Sequence, residues 1–195
     1  MKILVLSLFL FLTATVSAQP TVSGTVTYGN AVSPPGPRFV SNVTITGDGS
    51  TPINTTTGAP GPTAGQYSLT GFGAGSYTIT PTKTGGVNGI SAADASNIAR
   101  HMAGIIRLNA TQLIVADVSG DGIISSYDAA MIPRWGLGIP PFGLTGTWKF
   151  VPVSRTYPEV TSDIPGQDYT AYLMGEVSGN WTNTGARPIN GFDPT

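Results

Sequence analysis

The sequence predicts a mixed β and α fold: an antiparallel β-sandwich, then a small helical module, then a β-rich C-terminal segment. Three observations support this prediction. Apolar residues alternate with Ser and Thr before residue 84, a duplicated helical pattern follows, and alternation returns after residue 141. With 195 residues, 40% of them hydrophobic, the chain can bury one or two small cores but not a large catalytic domain.

Composition excludes several classes of function. Only 10% of the residues are charged and the formal net charge is -1, so the chain has no basic surface for nucleic acid or an anionic membrane. The absence of cysteine excludes disulfides and thiolate metal sites. Zinc and histidine-based acid-base chemistry are also unsupported, because His101 is the only histidine.

Residues 1–18 predict a secretory signal peptide. Lys2 provides a positive start, an apolar run extends from Ile3 to Leu12, and the small residues Val16 and Ala18 precede a cleavage site after Ala18. The apolar run is too short to span a bilayer comfortably, so no membrane span is expected in the mature chain. We therefore expect a secreted, extracellular protein. A buried N-terminal strand is the alternative.

Residues 19–84 form the predicted sandwich. Apolar residues alternate in four short runs, Val22 to Tyr28, Val43 to Ile45, Tyr67 to Leu69 and Tyr77 to Ile79, which are separated by clusters of Pro and Gly. Gly-Gln precedes the run that begins at Tyr67, and Gly-Ser precedes the run that begins at Tyr77. This pattern resembles the carboxypeptidase-regulatory, prealbumin-like sandwich family. That resemblance implies a spacer or stalk, and some relatives share a fold with starch-binding domains. A structural role is favoured over carbohydrate binding, because the alternation directs the tyrosines into the core.

Residues 117–128 have the spacing of a calcium loop flanked by helices. Calcium prefers six or more oxygen ligands, so a short loop must turn every second side chain inward. Gly122 permits the sharp turn that this requires. The predicted ligands are the side chains of Asp117, Ser119, Asp121, Ser125 and Asp128 and the main-chain carbonyl of Ile123. A polar turn without metal is the alternative.

The predicted helical module, residues 85–140, contains an internal duplication. Residues 90–105 align with residues 124–139, and half of the aligned positions are identical. Each copy predicts a loop end followed by a helix with apolar residues three and four apart. Between the copies, Asn109 and Gln112 predict a capping box that opens a short helix through Ala116. Pro133 should kink or shorten the second helix.

A duplicated calcium loop that ends in Asp, with Arg on the exit helix, resembles the type I dockerin, which binds cohesins in secreted multienzyme assemblies. The first copy departs from that family, because Lys83, Gly85 and Val87 occupy the early ligand positions. One calcium site is therefore expected, with Ser91 and Asp94 capping the first helix instead. The resemblance implies a cohesin-type partner that contacts Ala92, Ala93, Arg100, Ser126, Tyr127 and Arg134. A solvated helix face is the alternative for the two arginines.

Residues 141–195 predict a β-rich tail, with strands near 146–153 and 168–175 and a frayed end after 184. Residues 176–180, Glu-Val-Ser-Gly-Asn, resemble residues 117–121, Asp-Val-Ser-Gly-Asp. The later calcium ligands are absent there, so a polar turn is favoured over a partial calcium loop.

Three functions are compatible with these features. The favoured one is a secreted, non-catalytic calcium-binding module that docks to a cohesin-like protein or rigidifies an extracellular assembly, with a link to polysaccharide degradation. The alternatives are an accessory or carbohydrate-binding part of a secreted glycoside hydrolase system, and a purely structural stalk. Hydrolysis would need two carboxylates facing a sugar cleft. The acids outside the loop show no such pairing: Asp48, Glu159, Asp163, Asp168 and Glu176.

Overall fold

The computed structural model describes residues 19–32 and 35–183, so the predicted signal peptide and the predicted frayed end lie outside the described residues. Strands and helices follow one another in the predicted order. The five N-terminal strands are β1 (Val22–Tyr28), β2 (Thr44–Asp48), β3 (Ile53–Thr56), β4 (Gln66–Leu69) and β5 (Tyr77–Thr82). The helices are α1 (Ala92–Met102), α2 (Ala110–Ala116) and α3 (Ser126–Gly136), and the last strands are β6 (Trp148–Val151), β7 (Arg155–Tyr157) and β8 (Tyr169–Leu173).

The strands form two four-stranded sheets, in the orders β4-β1-β8-β6 and β3-β2-β5-β7. The predicted mixed fold is therefore confirmed. The C-terminal strands join both sheets, because β8 lies between β1 and β6 and β7 pairs with β5. The pairing of β1 with β8 is parallel, whereas the sequence predicts an antiparallel sandwich. This pairing does not need a hairpin, because a long connection through the helices separates the two strands.

One hydrophobic core runs from the sheets into the helices. Tyr28, Tyr67 and Tyr77 are buried, as the alternation predicts. Ile98 of α1 and Ile132 of α3 belong to the same core cluster as the strand residues. The core thus crosses the predicted boundaries at 84/85 and 140/141, and the division into domains stays a prediction.

Helices α1 and α3 pack against each other and have the same length of 11 residues. Each begins at a serine N-cap with a capping box, and α2 has the predicted capping box of Asn109 and Gln112. Pro133 does not shorten the second helix, since α3 continues to Gly136, and the other predicted effect, a kink, stays a prediction. Within the described ranges, no helix combines the length and the apolar character needed to cross a membrane.

Candidate functional site

The candidate calcium loop connects α2 to α3. Asp117 is the C-cap of α2 and Ser125 is the N-cap of α3, so the two helices hold both ends of the loop. Gly122 has a φ of +82°, which favours glycine and confirms the predicted sharp turn. The turn at Gly122 is therefore as predicted, and the two helices fix where the loop begins and ends.

Two carboxylates of the loop meet at Ser119. The Ser119 amide donates to Asp128 Oδ1 at 2.9 Å, and the Ser119 hydroxyl donates to Asp117 Oδ1 at 3.3 Å. Asp117 also accepts the amides of Gly120 at 2.9 Å and Gly122 at 3.1 Å. Asp128 is completely buried. The first and twelfth positions of the loop are thus brought together around the third.

Asp121 is placed differently. It is exposed, and its Oδ1 accepts the Ile123 amide at 2.8 Å within its own turn. The described residues contain no group of three or more His, Cys, Asp or Glu side chains positioned to hold a metal ion. The hard oxygen donors of the loop fit calcium in kind, and the carboxylates of Asp117 and Asp128 both bond Ser119. The full ligand set stays a prediction, because Asp121 does not join the other two carboxylates.

Ser125 has a structural role in this geometry. Its hydroxyl donates to Asp128 Oδ2 at 3.0 Å and accepts the Tyr127 amide at 3.2 Å. These contacts form the capping box of α3. Ile123 has its side chain in solvent, and the structure does not test the role predicted for its carbonyl.

The residues that the dockerin resemblance assigns to partner binding are all exposed on α1 and α3. The guanidinium of Arg134 donates to the carbonyl oxygens of Ile139 and Pro140, so it is held at the C-terminal end of α3. Tyr127 leaves 53% of its surface in solvent. The exposed set is Ala92, Ala93, Arg100, Ser126, Tyr127 and Arg134.

The first copy of the repeat is completed by a remote segment. Asp94 Oδ2 accepts the Ser91 amide at 2.7 Å, which confirms the predicted cap, while Asp94 Oδ1 accepts the amides of Val177 at 2.8 Å and Ser178 at 2.7 Å. Sequence reasoning identified the partial motif at 176–180 and the missing half of the first loop, but it did not place them together. The signal available in the sequence was that the motif at 176–180 has the part of a calcium loop that the first copy lacks.

Glu176 begins this remote segment and is completely buried. Its carboxylate accepts hydrogen bonds from the Tyr28 hydroxyl, from the Ser178 hydroxyl at 2.7 Å and from the Asn180 amide at 2.9 Å. Burial raises the pKa of Glu176, and the neighbouring charge of Asp94 acts in the same direction. The three hydrogen bonds oppose that rise because they stabilise the carboxylate.

Two other acids outside the loop, Asp163 and Asp168, bond residues that are far from them in the sequence. Asp163 accepts the amide and the hydroxyl of Thr21, both at 2.9 Å. Asp168 accepts the Thr25 amide at 2.7 Å and the Thr25 hydroxyl at 2.9 Å. These carboxylates attach the segment before β8 to the region of β1.

Comparison with known proteins supports the assignment of the helical part. Residues 87–134 match the family model of the dockerin type I domain. This range contains α1, α2, the candidate calcium loop and most of α3, and it is less than half of the chain. No curated protein and no solved structure matches the chain. The match supports a dockerin module at these residues, and the prealbumin-like resemblance of the sandwich stays a prediction.

Proposed function

We propose that this chain is a secreted, non-catalytic module that binds one calcium ion and docks to a cohesin-like protein partner. The dockerin type I match at residues 87–134 carries this proposal. Its mechanism is that calcium neutralises the carboxylates of residues 117–128 and fixes the start of α3. Metal binding and the ordering of the docking face are then one linked equilibrium.

The packing of the two repeat helices supports this proposal. Helices α1 and α3 lie against each other. The exposed residues Ala92 and Ala93 of α1 and Arg134 of α3 are therefore carried by the same packed pair of helices. Ser126 and Tyr127 occupy the corresponding start of α3. Tyrosine and arginine are enriched among residues that dominate binding energy, so Tyr127 and Arg134 are the strongest candidate contacts.

A pull-down against a panel of immobilised cohesins, in calcium and in chelator, tests the proposal. We expect calcium-dependent capture that is lost in chelator and lost for Asp121→Ala. Tyr127→Ala should reduce capture while leaving calcium binding unchanged, and Glu159→Ala is the matched control outside the loop. Capture of the wild type that is equal in chelator, or absent throughout, contradicts the proposal.

A second candidate function is a stalk that calcium rigidifies without a cohesin partner. The continuity of the core from the sandwich into the helices favours it, since a freely presented docking module would not need that attachment. Calcium-dependent stiffening without capture by any cohesin would favour this candidate. A link to polysaccharide degradation follows from the dockerin resemblance alone.

A further inference from the structure

Two segments that are far apart in the chain adopt the same half-loop structure. In residues 176–180 the fourth residue, Gly179, has a φ of +72°, and its counterpart Gly120 has a φ of +77°. Ser178 donates its amide to Asp94 at 2.7 Å, as Ser119 donates its amide to Asp128 at 2.9 Å. The remote segment therefore bonds the start of α1 in the same way as the first half of the calcium loop bonds the start of α3.

Serine hydroxyls extend this correspondence. The Ser178 hydroxyl donates to Glu176 Oε1 at 2.7 Å, and the Ser119 hydroxyl donates to Asp117 Oδ1 at 3.3 Å. Glu176 thus occupies the place of the first loop position, although its side chain is longer and reaches the Tyr28 hydroxyl. The first repeat is therefore built from two separate stretches of chain, 88–94 and 176–180.

The two stretches are joined where a continuous loop would run. Asn88 donates its side-chain amide to the Thr182 carbonyl at 2.9 Å and accepts the Thr182 amide at 2.9 Å. Gly89 passes close to the half-loop, since a Cβ there would lie 2.6 Å from Asn180 Oδ1. The Trp181 indole donates to the Gly86 carbonyl at 2.7 Å. These contacts replace the missing covalent continuity.

The two copies differ in the number of their carboxylates. All four carboxylate oxygens of Asp94 and Glu176 accept hydrogen bonds from the chain, and both side chains are completely buried. The four oxygens of their counterparts Asp128 and Asp117 also accept hydrogen bonds from the chain. The second copy has three carboxylates, and the described residues provide Asp121 Oδ2 with no donor. The first copy has a neutral residue, Asn180, at the position of Asp121. The second copy therefore has one carboxylate more than the first, and this carboxylate is exposed, where a cation can reach it.

We propose that residues 176–182 complete the first repeat in place of a continuous calcium loop and hold α1 folded without metal. The protein then has a metal-independent half around α1 and a calcium-dependent half around α3. The proposal rests on the proposed function only for the calcium dependence of the second half. It assigns to the C-terminal segment the role of an internal partner of the dockerin module.

Amide hydrogen exchange of the full chain, measured by NMR in calcium and in chelator, tests this proposal. We expect the amides of Val177, Ser178 and Asn180 to be equally protected in both conditions, because they donate to Asp94 and Glu176. The amides of Ser119 and Gly120 should exchange at least roughly tenfold faster in chelator.

A matched pair of variants sharpens the test. Asn88→Ala removes the side chain that bonds Thr182 and should speed exchange of the Val177 and Ser178 amides roughly tenfold, with no rescue by calcium. Asn54→Ala removes an exposed asparagine of β3 and should leave these amides unchanged.

The possible outcomes separate this proposal from the proposed function. Loss of protection at Val177 and Ser178 in chelator overturns the internal-partner proposal. So does the binding of two calcium ions per chain, counted by native mass spectrometry, with the second lost in Glu176→Gln. Equal protection of Ser119 with and without calcium contradicts the proposed function but leaves the role of residues 176–182 intact.

Discussion

Asp94 and Asp128 lie at the same position of α1 and α3, and both side chains are completely buried. Each uses one carboxylate oxygen to bond the serine that caps its helix. The other oxygen of Asp128 accepts the amide of Ser119 from the adjoining loop, whereas that of Asp94 accepts two amides from a segment after β8. The two helices thus begin alike but are attached to different parts of the chain.

Removal of the Asp94 carboxylate should destabilise the whole fold. Asp94→Ala leaves the amides of Val177 and Ser178 without their acceptor, so we expect the free energy of unfolding to fall by at least about 2 kcal/mol. Asp48→Ala, at the exposed end of β2, should change it by less than about 0.5 kcal/mol. Urea denaturation in chelator measures the free energy of unfolding of both variants. If Asp94→Ala and Asp48→Ala unfold at the same urea concentration, the structural role of Asp94 is contradicted.

Asp121 should matter for calcium but little for folding without it. Its one hydrogen bond within the loop is exposed, so Asp121→Ala in chelator should lower the free energy of unfolding by less than about 1 kcal/mol. Calcium affinity should fall at least roughly tenfold, because loss of a charged ligand weakens an oxygen site. Isothermal titration calorimetry measures the affinity. The control Glu159→Ala removes a carboxylate elsewhere, and an equal loss of affinity in both variants would rule out a specific role for Asp121.

Glu176 should make stability depend on pH in a defined direction. Burial holds its folded-state pKa above the ordinary value of 4.5, so the folded protein binds the proton more tightly than the unfolded chain does. The free energy of unfolding therefore falls as pH rises from about 4.5 through the folded-state pKa. Glu176→Gln lacks this titration, so the stability of the wild type relative to the variant should decrease over that range.

Denaturation of both proteins in chelator, at pH values from about 4.5 to 8, measures this difference. The groups around Glu176 are Asp94, the hydroxyls of Tyr28 and Ser178 and the amide of Asn180. Arg38 acts on Tyr28, and its guanidinium binds the carbonyl oxygens of Gly179 and Trp181. Desolvation raises the pKa of Tyr28 far above this range, so Tyr28 stays protonated throughout. A pH-independent difference between wild type and variant would contradict the assignment to Glu176.

Local rules account for the parts of the structure that the sequence predicted. The caps at Ser91 and Asn109 require only residues three apart, and the turn at Gly122 requires only a glycine at the right loop position. Alternation within β1 is likewise a short-range pattern, and it correctly predicted that Tyr28 is buried. Each of these features is set by neighbours within one turn or one strand.

Long-range pairings could not be obtained in the same way. The parallel contact of β1 with β8 and the contact of Asp94 with Ser178 join distant parts of the chain, and tertiary packing decides between competing partners. Both fragments of the first repeat were visible in the sequence, but the family pattern assumes a continuous loop. Residues 176–180 have the beginning of a calcium loop without its end, and residues 88–94 have the end without the beginning. This complementarity was the signal in the sequence for their contact.

Gly179 provides a test of how rigidly residues 176–180 are attached. It has a φ of +72°, and a Cβ there would lie 2.5 Å from the carbonyl oxygen of Asn30 and from Val32 Cβ. Gly166 has a φ of +70°, but a Cβ there would meet nothing within 4 Å. Substitution of either glycine by alanine incurs a similar cost for the left-handed backbone, of about 1–2 kcal/mol. The difference between the two variants therefore isolates the steric contact.

We expect Gly179→Ala to lower the free energy of unfolding by about 1–3 kcal/mol more than Gly166→Ala does, because the backbone of Asn30 cannot move aside without disturbing a buried side chain. Thermal and urea denaturation in chelator give the comparison. Amide exchange at Val177 and Ser178 should accelerate in Gly179→Ala only. Equal stability of the two variants would mean that residues 176–180 shift freely, which is incompatible with a segment that holds α1 in place.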